Sequence, residues 1–165
     1  MRLTGGEFIL EYLIRRRVPY LAGIPGHGCL ALMDALKGRE QRIKVIQVRH
    51  EQSAVHLADG YFRAKGEPLA VFTSIGPGAI NTAVGLATAF VDSTAVLVMS
   101  GETHTYMFGR GVLQEVERRH WANLPRVLEP LVKRYWQVTN VSQLPHVMVN
   151  AFNQMLGGRP GPVFI

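Results

Sequence analysis

The sequence is poor in cysteine and in long apolar runs, and both absences exclude whole classes of protein. Cys29 is the only cysteine among 165 residues, so the chain forms neither an internal disulfide nor a cysteine metal site. No apolar run approaches the roughly 20 residues of a membrane-spanning helix, and the amino terminus lacks the apolar segment of a signal peptide. These absences predict a reducing, cytoplasmic setting and no membrane partner.

Charged residues are also scarce, at 18%, while apolar residues reach 47%, and this balance excludes disorder by composition. The formal net charge of +6 raises the question of a nucleic-acid partner. The basic residues are scattered apart from Arg15 to Arg17, whereas nucleic-acid binding requires a basic stripe with interleaved aromatic residues. We therefore expect no nucleic-acid partner, and we attribute the charge to a solvated basic surface or to an acidic segment outside this chain.

Apolar segments with strand and helix patterns alternate along the chain, which at this length predicts one domain over residues 1–165. Helices are predicted at 5–17, 30–36, 52–65, 76–90 and 142–156, and strands at 20–24, 45–48, 69–73, 95–99 and 163–165. The predicted strands are apolar on both faces, which is typical of a parallel sheet between helices. The fold prediction is therefore a three-layer α/β arrangement, with a parallel sheet of about six strands and helices on both faces.

Three predicted strand ends carry residues that suit a ligand site. In an open parallel sheet, ligands bind in the crevice beyond the carboxyl ends of the strands. The candidate segments are Pro25 to Gly28, His50 to Gln52 and Ser74 to Gly78, and we expect them to lie along one edge. The irregular stretch 101–130 is long for a connection, so it is a further candidate for function.

The segment Gly-Pro-Gly-Ala-Ile-Asn at 76–81 follows a predicted strand and opens a helix. It nearly matches the dinucleotide fingerprint, but Asn81 stands where the third glycine is required. A tight turn that needs glycine geometry also explains the segment, as does backbone that must approach a ligand closely.

Glu51 and His27 are the titratable residues best placed for chemistry. Glu51 begins a predicted helix, where the helix dipole alone stabilises a carboxylate by ~0.3–1 kcal/mol; the functional alternative is proton exchange with a ligand nitrogen. His27 lies between glycines in a turn, where a solvated side chain and a catalytic one are both reasonable. No histidine pair has metal-ligand spacing with a carboxylate partner, so we expect no metal site built by this chain.

Several short segments become a specific signal when their order and spacing are taken together. They are Gly23 to Gly26, Arg49 to Gln52, Ala58 to Tyr61, Gly76 to Asn81, Asp92-Ser93, Gly101, Gln114-Glu115, Lys133 and Gly158 to Val163. On these residues the whole chain resembles the N-terminal pyrimidine-binding domain of thiamine-diphosphate-dependent enzymes of the acetolactate synthase type. In that family, a glutamate at the position of Glu51 hydrogen-bonds the pyrimidine ring nitrogen of the cofactor. It thereby favours the tautomer that deprotonates the thiazolium carbon.

The resemblance implies cofactors, a substrate class and further site residues. The cofactors are thiamine diphosphate and Mg²⁺, with FAD in some relatives, and the substrate is a small 2-keto acid consumed by carboligation or decarboxylation, which makes the enzyme a transferase or lyase. The residues implied to bind the cofactor are Glu51, Pro25, Gly26, Thr73, Pro77 and Asn81. Those implied to face the substrate are His27 and Gln114.

The chain departs from the family in its missing diphosphate motif and in two substitutions. Because the Gly-Asp-Gly…Asn motif for diphosphate and Mg²⁺ is absent, we expect a second domain or subunit to supply it and this chain alone to be inactive; the end at Ile165 favours an excised domain. His27 replaces a glycine, and Leu113 stands where a phenylalanine is common. These substitutions also resemble the trihydroxycyclohexanedione hydrolases, which cleave a carbon–carbon bond with water. A non-catalytic assembly or regulatory domain is the remaining alternative.

The resemblance also implies a homo-oligomer, at least a dimer. We expect the contact to involve the helices at 52–65 and 79–90, because small residues allow helices to approach closely. Those residues are Ala54, Ala58, Gly60, Ala79, Ala83 and Gly85.

Overall fold

The computed structural model describes residues 2–116 and 124–165, and within them six parallel strands alternate with helices. The strands are β1 (Tyr20–Gly23), β2 (Lys44–Gln47), β3 (Leu69–Thr73), β4 (Val96–Ser100), β5 (Arg134–Tyr135) and β6 (Val163–Phe164). The helices are α1 (Gly5–Arg15), α2 (Leu30–Asp34), α3 (Glu51–Lys65), α4 (Pro77–Ile80), α5 (Ala83–Val91), α6 (Leu124–Leu128) and α7 (Leu144–Leu156). The strands pair in the order β2-β1-β3-β4-β6-β5, which confirms the predicted three-layer α/β fold.

Local sequence signals set the ends of the longer helices. At the start of α1, the Thr4 hydroxyl accepts a hydrogen bond from the backbone N–H of Glu7, whose carboxylate accepts one from the N–H of Thr4. This reciprocal capping box satisfies two donors that a helix start leaves unpaired. The helix ends two residues earlier than predicted, since Arg17 adopts a left-handed φ of 59°. Helix α3 ends at Lys65, because the next residue, Gly66, adopts a left-handed φ of 70°.

The core lies on the central strands. All five residues of β3 are buried, and α3 packs against β1, β3 and β4 while α7 packs against β4 and β6. The prediction that the strands are apolar on both faces is wrong for β2, where Lys44, Val45 and Gln47 are exposed. This strand forms an edge of the sheet, so helices do not cover it as they cover the centre.

Several further details of the secondary structure differ from the sequence prediction: α2 ends at Asp34 instead of residue 36, α7 begins at Leu144 instead of residue 142, and α6 lies in the stretch predicted to be irregular. The helix predicted over 76–90 is two helices, α4 and α5, and the hydroxyl of Thr82 at the break donates to the carbonyl of Ala79 at 2.6 Å. That side-chain bond competes with the helical ladder for the same carbonyl. Strand β5 was not predicted, because its two residues carry no periodic signal.

Helices α3 and α5 approach each other inside this chain. A Cβ atom added at Gly85 would lie 2.5 Å from Cβ of Val55, so only glycine permits this spacing. Ala54, Ala58 and Ala79 are also fully buried within the chain. The prediction that these small residues contact a second copy is therefore wrong for them, since packing inside the domain already covers their side chains.

Two basic residues of the motifs, Lys133 and Arg159, form hydrogen bonds around the segment between α7 and β6. The Lys133 ammonium donates to the carbonyls of Gln154, Gly157 and Arg159 at 2.5, 2.9 and 2.7 Å, which satisfies acceptors at the end of α7. The Arg159 guanidinium in turn donates to the Ser93 hydroxyl at 2.5 Å. In the part of the chain that the structure describes, no helix combines the length and apolar character needed to cross a membrane.

Candidate active site

The predicted candidate segments meet at one edge of the sheet. Strand β1 pairs with β2 on one side and with β3 on the other, so the chain reverses its direction of winding between β1 and β3. Ligands of open parallel sheets bind beyond the carboxyl ends of the strands at such a reversal. Here the N–H of Gly28 donates to the Ser74 hydroxyl at 3.4 Å, which joins the turn after β1 to the turn after β3.

Glu51 is buried at this edge as the first residue of α3, with 9% of its surface exposed. The preceding residue, His50, caps the helix by accepting a hydrogen bond from the N–H of Gln52 at 3.2 Å. No ion pair joins Glu51 to a cation within residues 2–116 and 124–165. The helix dipole and one neutral amide therefore stabilise its charge, and the carboxylate stays available to a ligand.

That amide belongs to Asn81, whose side-chain Nδ2 donates to Oε2 of Glu51 at 3.0 Å. The other carboxylate oxygen, Oε1, faces the glycine turn, where a Cβ added at Gly78 would lie 3.1 Å from it. The glycine turn therefore leaves a narrow space beside Oε1, while the hydrogen bond from Asn81 holds Oε2 in place. A carboxylate at this turn also repels a phosphate group, which argues against the dinucleotide alternative for the 76–81 segment.

Gly76 connects this turn to the irregular stretch. Its φ of 57° and ψ of −112° are accessible to glycine alone, and a Cβ there would collide with the backbone carbonyl of Gln114. Gln114 itself has a left-handed φ of 64°, and its side chain is exposed. The structure thus brings Gln114 to the edge where Glu51 lies, although the two are 63 positions apart in sequence.

The remaining predicted residues occupy different depths at this edge. Pro25, His27 and Pro77 are exposed, and Gly26 packs beside Ser74. Thr73 is fully buried, and its hydroxyl donates to the carbonyl of Ser74 at 2.9 Å, so its side chain lies beneath the turn.

One buried residue here escaped the sequence prediction of the site. Glu115 has only 5% of its surface exposed, and its carboxylate accepts hydrogen bonds from the N–H groups of Gly109, Gly111 and Val112. The Gln114-Glu115 motif contributed to the resemblance, but apart from Gly109 and Gly111 shortly before it, the sequence carried no signal of these hydrogen bonds. Among the residues that the structure describes, no cluster of His, Cys, Asp and Glu could hold a metal ion.

A separate cavity of about 250 Å³ lies beyond the ends of β4 and β6. Its walls include Met99, Trp136 and Met148, and none of the predicted site residues lines it. The Glu51 edge and this cavity are therefore distinct features of the domain.

The sequence comparisons with known proteins identify a family and several relatives of this chain. Residues 3–121 match the family model described as "Thiamine pyrophosphate enzyme, N-terminal TPP binding domain". The chain is 38% identical, over 99% of its length, both to an acetolactate synthase of Arthrospira platensis and to the large subunit of acetolactate synthase isozyme 3 of Escherichia coli. It is 35% identical, over 98% of its length, to the mitochondrial acetolactate synthase catalytic subunit of Aspergillus candidus.

The chain spans 28%, 27% and 22% of the length of these three relatives, respectively. The family match covers most of the chain and includes Glu51, Asn81 and Gln114. The predicted resemblance is confirmed, and the chain belongs to the thiamine pyrophosphate enzymes as an N-terminal cofactor-binding domain of the acetolactate synthase-like type.

Proposed function

We propose that this domain activates thiamine diphosphate in an enzyme that joins or decarboxylates small 2-keto acids. The observation that carries the proposal is the buried carboxylate of Glu51, which has Oε2 held by Asn81 and Oε1 beside the side-chain-free Gly78. A Cβ at residue 78 would lie 3.1 Å from Oε1 and crowd any ligand atom that approaches it, so glycine keeps this oxygen open to a ring nitrogen. When bound, the cofactor would supply a carbon nucleophile for the keto group and a thiazolium ring as electron sink.

In this proposal, Glu51 hydrogen-bonds the pyrimidine ring nitrogen through Oε1 and exchanges a proton with it. Asn81 fixes the plane of the carboxylate by donating to Oε2, so Oε1 is the oxygen through which the proton is exchanged. Burial excludes water from the carboxylate and strengthens its interaction with the ring. Pro25, Gly26 and Pro77 are proposed to form the surrounding wall, whereas the structure contradicts a direct cofactor contact for Thr73, whose side chain is fully buried beneath the turn.

His27 and Gln114 are proposed to face the keto substrate. Both side chains are exposed at the carboxyl edge of the sheet, where a substrate bound above the cofactor would lie. His27 is the substitution that suggested a carbon–carbon hydrolase, but the relatives reported above are acetolactate synthases, which favours carboligation. Incubation of the intact protein with pyruvate, thiamine diphosphate and Mg²⁺ tests this assignment: acetolactate or acetaldehyde supports it, and no turnover of pyruvate overturns it.

The diphosphate and Mg²⁺ are proposed to bind a second domain or subunit. The described residues of this chain do not fit the metal, since they contain no group of carboxylate, histidine or cysteine ligands.

The visible absorption spectrum of the purified protein tests for the flavin that some members of the family carry. A cytoplasmic setting remains part of the proposal, because Cys29 is the only cysteine of the sequence and a reducing compartment suits a chain that forms no internal disulfide.

The 165-residue chain on its own should bind thiamine diphosphate weakly, because it offers contacts to the pyrimidine ring but none to the diphosphate. Calorimetry with the cofactor and Mg²⁺ measures this, and we expect a dissociation constant in the millimolar range, ~4 kcal/mol of binding free energy. Micromolar binding would contradict the assignment of the diphosphate site to another domain or subunit.

We propose that the outer face of α5 associates with a second copy. Val84, Phe90 and Val91 are 57%, 40% and 68% exposed, which is unusual for apolar side chains on one helix of nine residues. Val91→Glu should therefore weaken association of the intact protein at least tenfold, measured by light scattering across a concentration series. Val141→Glu is the matched control, since Val141 is 61% exposed on another element. Equal behaviour of the two variants would exclude α5 as the contact.

A further inference from the structure

We propose that Glu115 is a positioning residue, which holds the loop 109–115 so that Gln114 meets the substrate at the Glu51 edge. This inference rests on the proposed function of the site, and it assigns a role to a residue that touches neither cofactor nor substrate. The loop has no regular secondary structure of its own except for turns. Its conformation must therefore come from specific bonds, and Glu115 supplies them.

The carboxylate of Glu115 gathers the backbone of the loop around itself. Oε1 accepts from the N–H of Gly109 at 2.5 Å, and Oε2 accepts from the N–H groups of Gly111 and Val112 at 2.7 and 3.1 Å. Gly109 and Gly111 have φ values of 75° and 70°, which turn successive N–H groups toward the same point. Because the side chain is 95% buried and both oxygens have donors, it is unsuited to act on a substrate directly.

The loop held in this way makes backbone contact with the active edge. Gln114 is the neighbour of Glu115, and its carbonyl packs against Gly76, the residue that begins the turn beside Glu51. Gln114 is left-handed, a conformation that is unfavourable for glutamine and persists only where surrounding bonds impose it. The bonds of Glu115 hold the backbone N–H groups just before Gln114, so they fix the backbone that carries its side chain.

The substitution Glu115→Gln tests this role with almost no change of shape. Whichever way the amide is oriented, its NH₂ group faces at least one backbone N–H that the carboxylate oxygen accepted. We expect kcat/KM for pyruvate in the intact protein to fall about 10²-fold, the scale of a misplaced contact of ~1 Å. Gln114→Ala should cause a similar loss, and the double variant should lose no more than either single variant, since both remove the same contact.

Two further measurements separate positioning from general damage. Backbone hydrogen exchange should show lost protection at Gly109, Gly111 and Val112 in Glu115→Gln, with protection of β3 unchanged. Exchange of the thiazolium proton, the step assigned to Glu51, should stay within about twofold of wild type. If Glu115→Gln does not fold, Glu115→Asp retains the charge on a shorter side chain and should show the same pattern with a smaller loss. Glu40→Gln is the matched control at an exposed glutamate and should change none of these quantities.

Three results would overturn the inference. The first is normal turnover of pyruvate despite lost protection of the loop, which would make Glu115 purely structural. The second is a double variant whose losses multiply, because Glu115 would then act independently of Gln114. The third is slowed thiazolium exchange in Glu115→Gln, which would place its effect on Glu51 instead. All three are distinct from failure of the proposed function, which would appear as normal thiazolium exchange in a Glu51 variant.

Discussion

Replacing Glu51 by glutamine in the intact protein is expected to lower turnover by roughly two or more orders of magnitude, the usual scale for acid–base roles. Glutamine keeps the size of the side chain and still forms a hydrogen bond, so cofactor binding and the fold should be nearly normal. It cannot exchange a proton with the pyrimidine ring, and for this reason exchange of the thiazolium proton should slow by a similar factor. Deuterium exchange at that carbon, followed by NMR after acid quench, measures the step directly.

The competing explanation makes Glu51 a helix-start carboxylate and nothing more. It predicts a stability loss of ~0.3–1 kcal/mol and nearly normal turnover. Glu7→Gln is the matched control, since Glu7 lies in the first turn of α1 and is far from the proposed site in sequence and element. Both variants should lose comparable stability, and only Glu51→Gln should lose activity. Thiazolium exchange at the wild-type rate in Glu51→Gln would refute the central proposal.

Gly76→Ala is expected to destabilise this domain strongly. Its backbone angles are open to glycine alone, which costs another residue ~1–3 kcal/mol, and the new Cβ would also collide with the backbone of Gln114. Neither the new Cβ nor the carbonyl oxygen of Gln114 can move without displacing β3 or the loop 109–115. We expect the free energy of unfolding of the 165-residue chain to fall by at least ~2 kcal/mol in urea denaturation.

Gly60→Ala is the matched control for this glycine substitution. Gly60 lies in the interior of α3, is exposed, and a Cβ added there would meet nothing within 4 Å. Alanine should therefore stabilise the chain by ~0.4–1 kcal/mol, because it restricts the unfolded state without straining the helix. A loss at residue 76 no larger than the change at residue 60 would show that the turn adapts to a side chain.

The elements that sequence could predict are those with a local physical cause. The strand 69–73 is continuously apolar because it lies at the centre of the sheet, and its predicted bounds match β3. Glu51 stood out because a carboxylate directly after a strand lies at the ligand edge of any parallel sheet. The family assignment followed from the order of several short motifs, each too short to be informative alone.

What sequence could not predict depends on contacts between distant residues. Asn81 and Glu51 are 30 positions apart, and no periodicity indicates that the amide of one fixes the carboxylate of the other. The packing of Gln114 on Gly76 joins an irregular loop to a strand end, for which pattern offers no signal. The contact predicted for Ala54, Ala58 and Ala79 was wrong for a similar reason: small residues permit close approach, but they do not identify which helix approaches.

The left-handed backbone at Gln114 creates a conflict between the stability of this domain and the substrate contact proposed for that side chain. Glycine adopts that conformation without the ~1–2 kcal/mol penalty that glutamine carries, so a library selected for heat resistance alone will drift toward glycine at this position. Such clones would look improved by every biophysical measure while lacking the side chain proposed to meet the substrate. Engineering of the domain therefore has to screen position 114 for turnover as well as for stability.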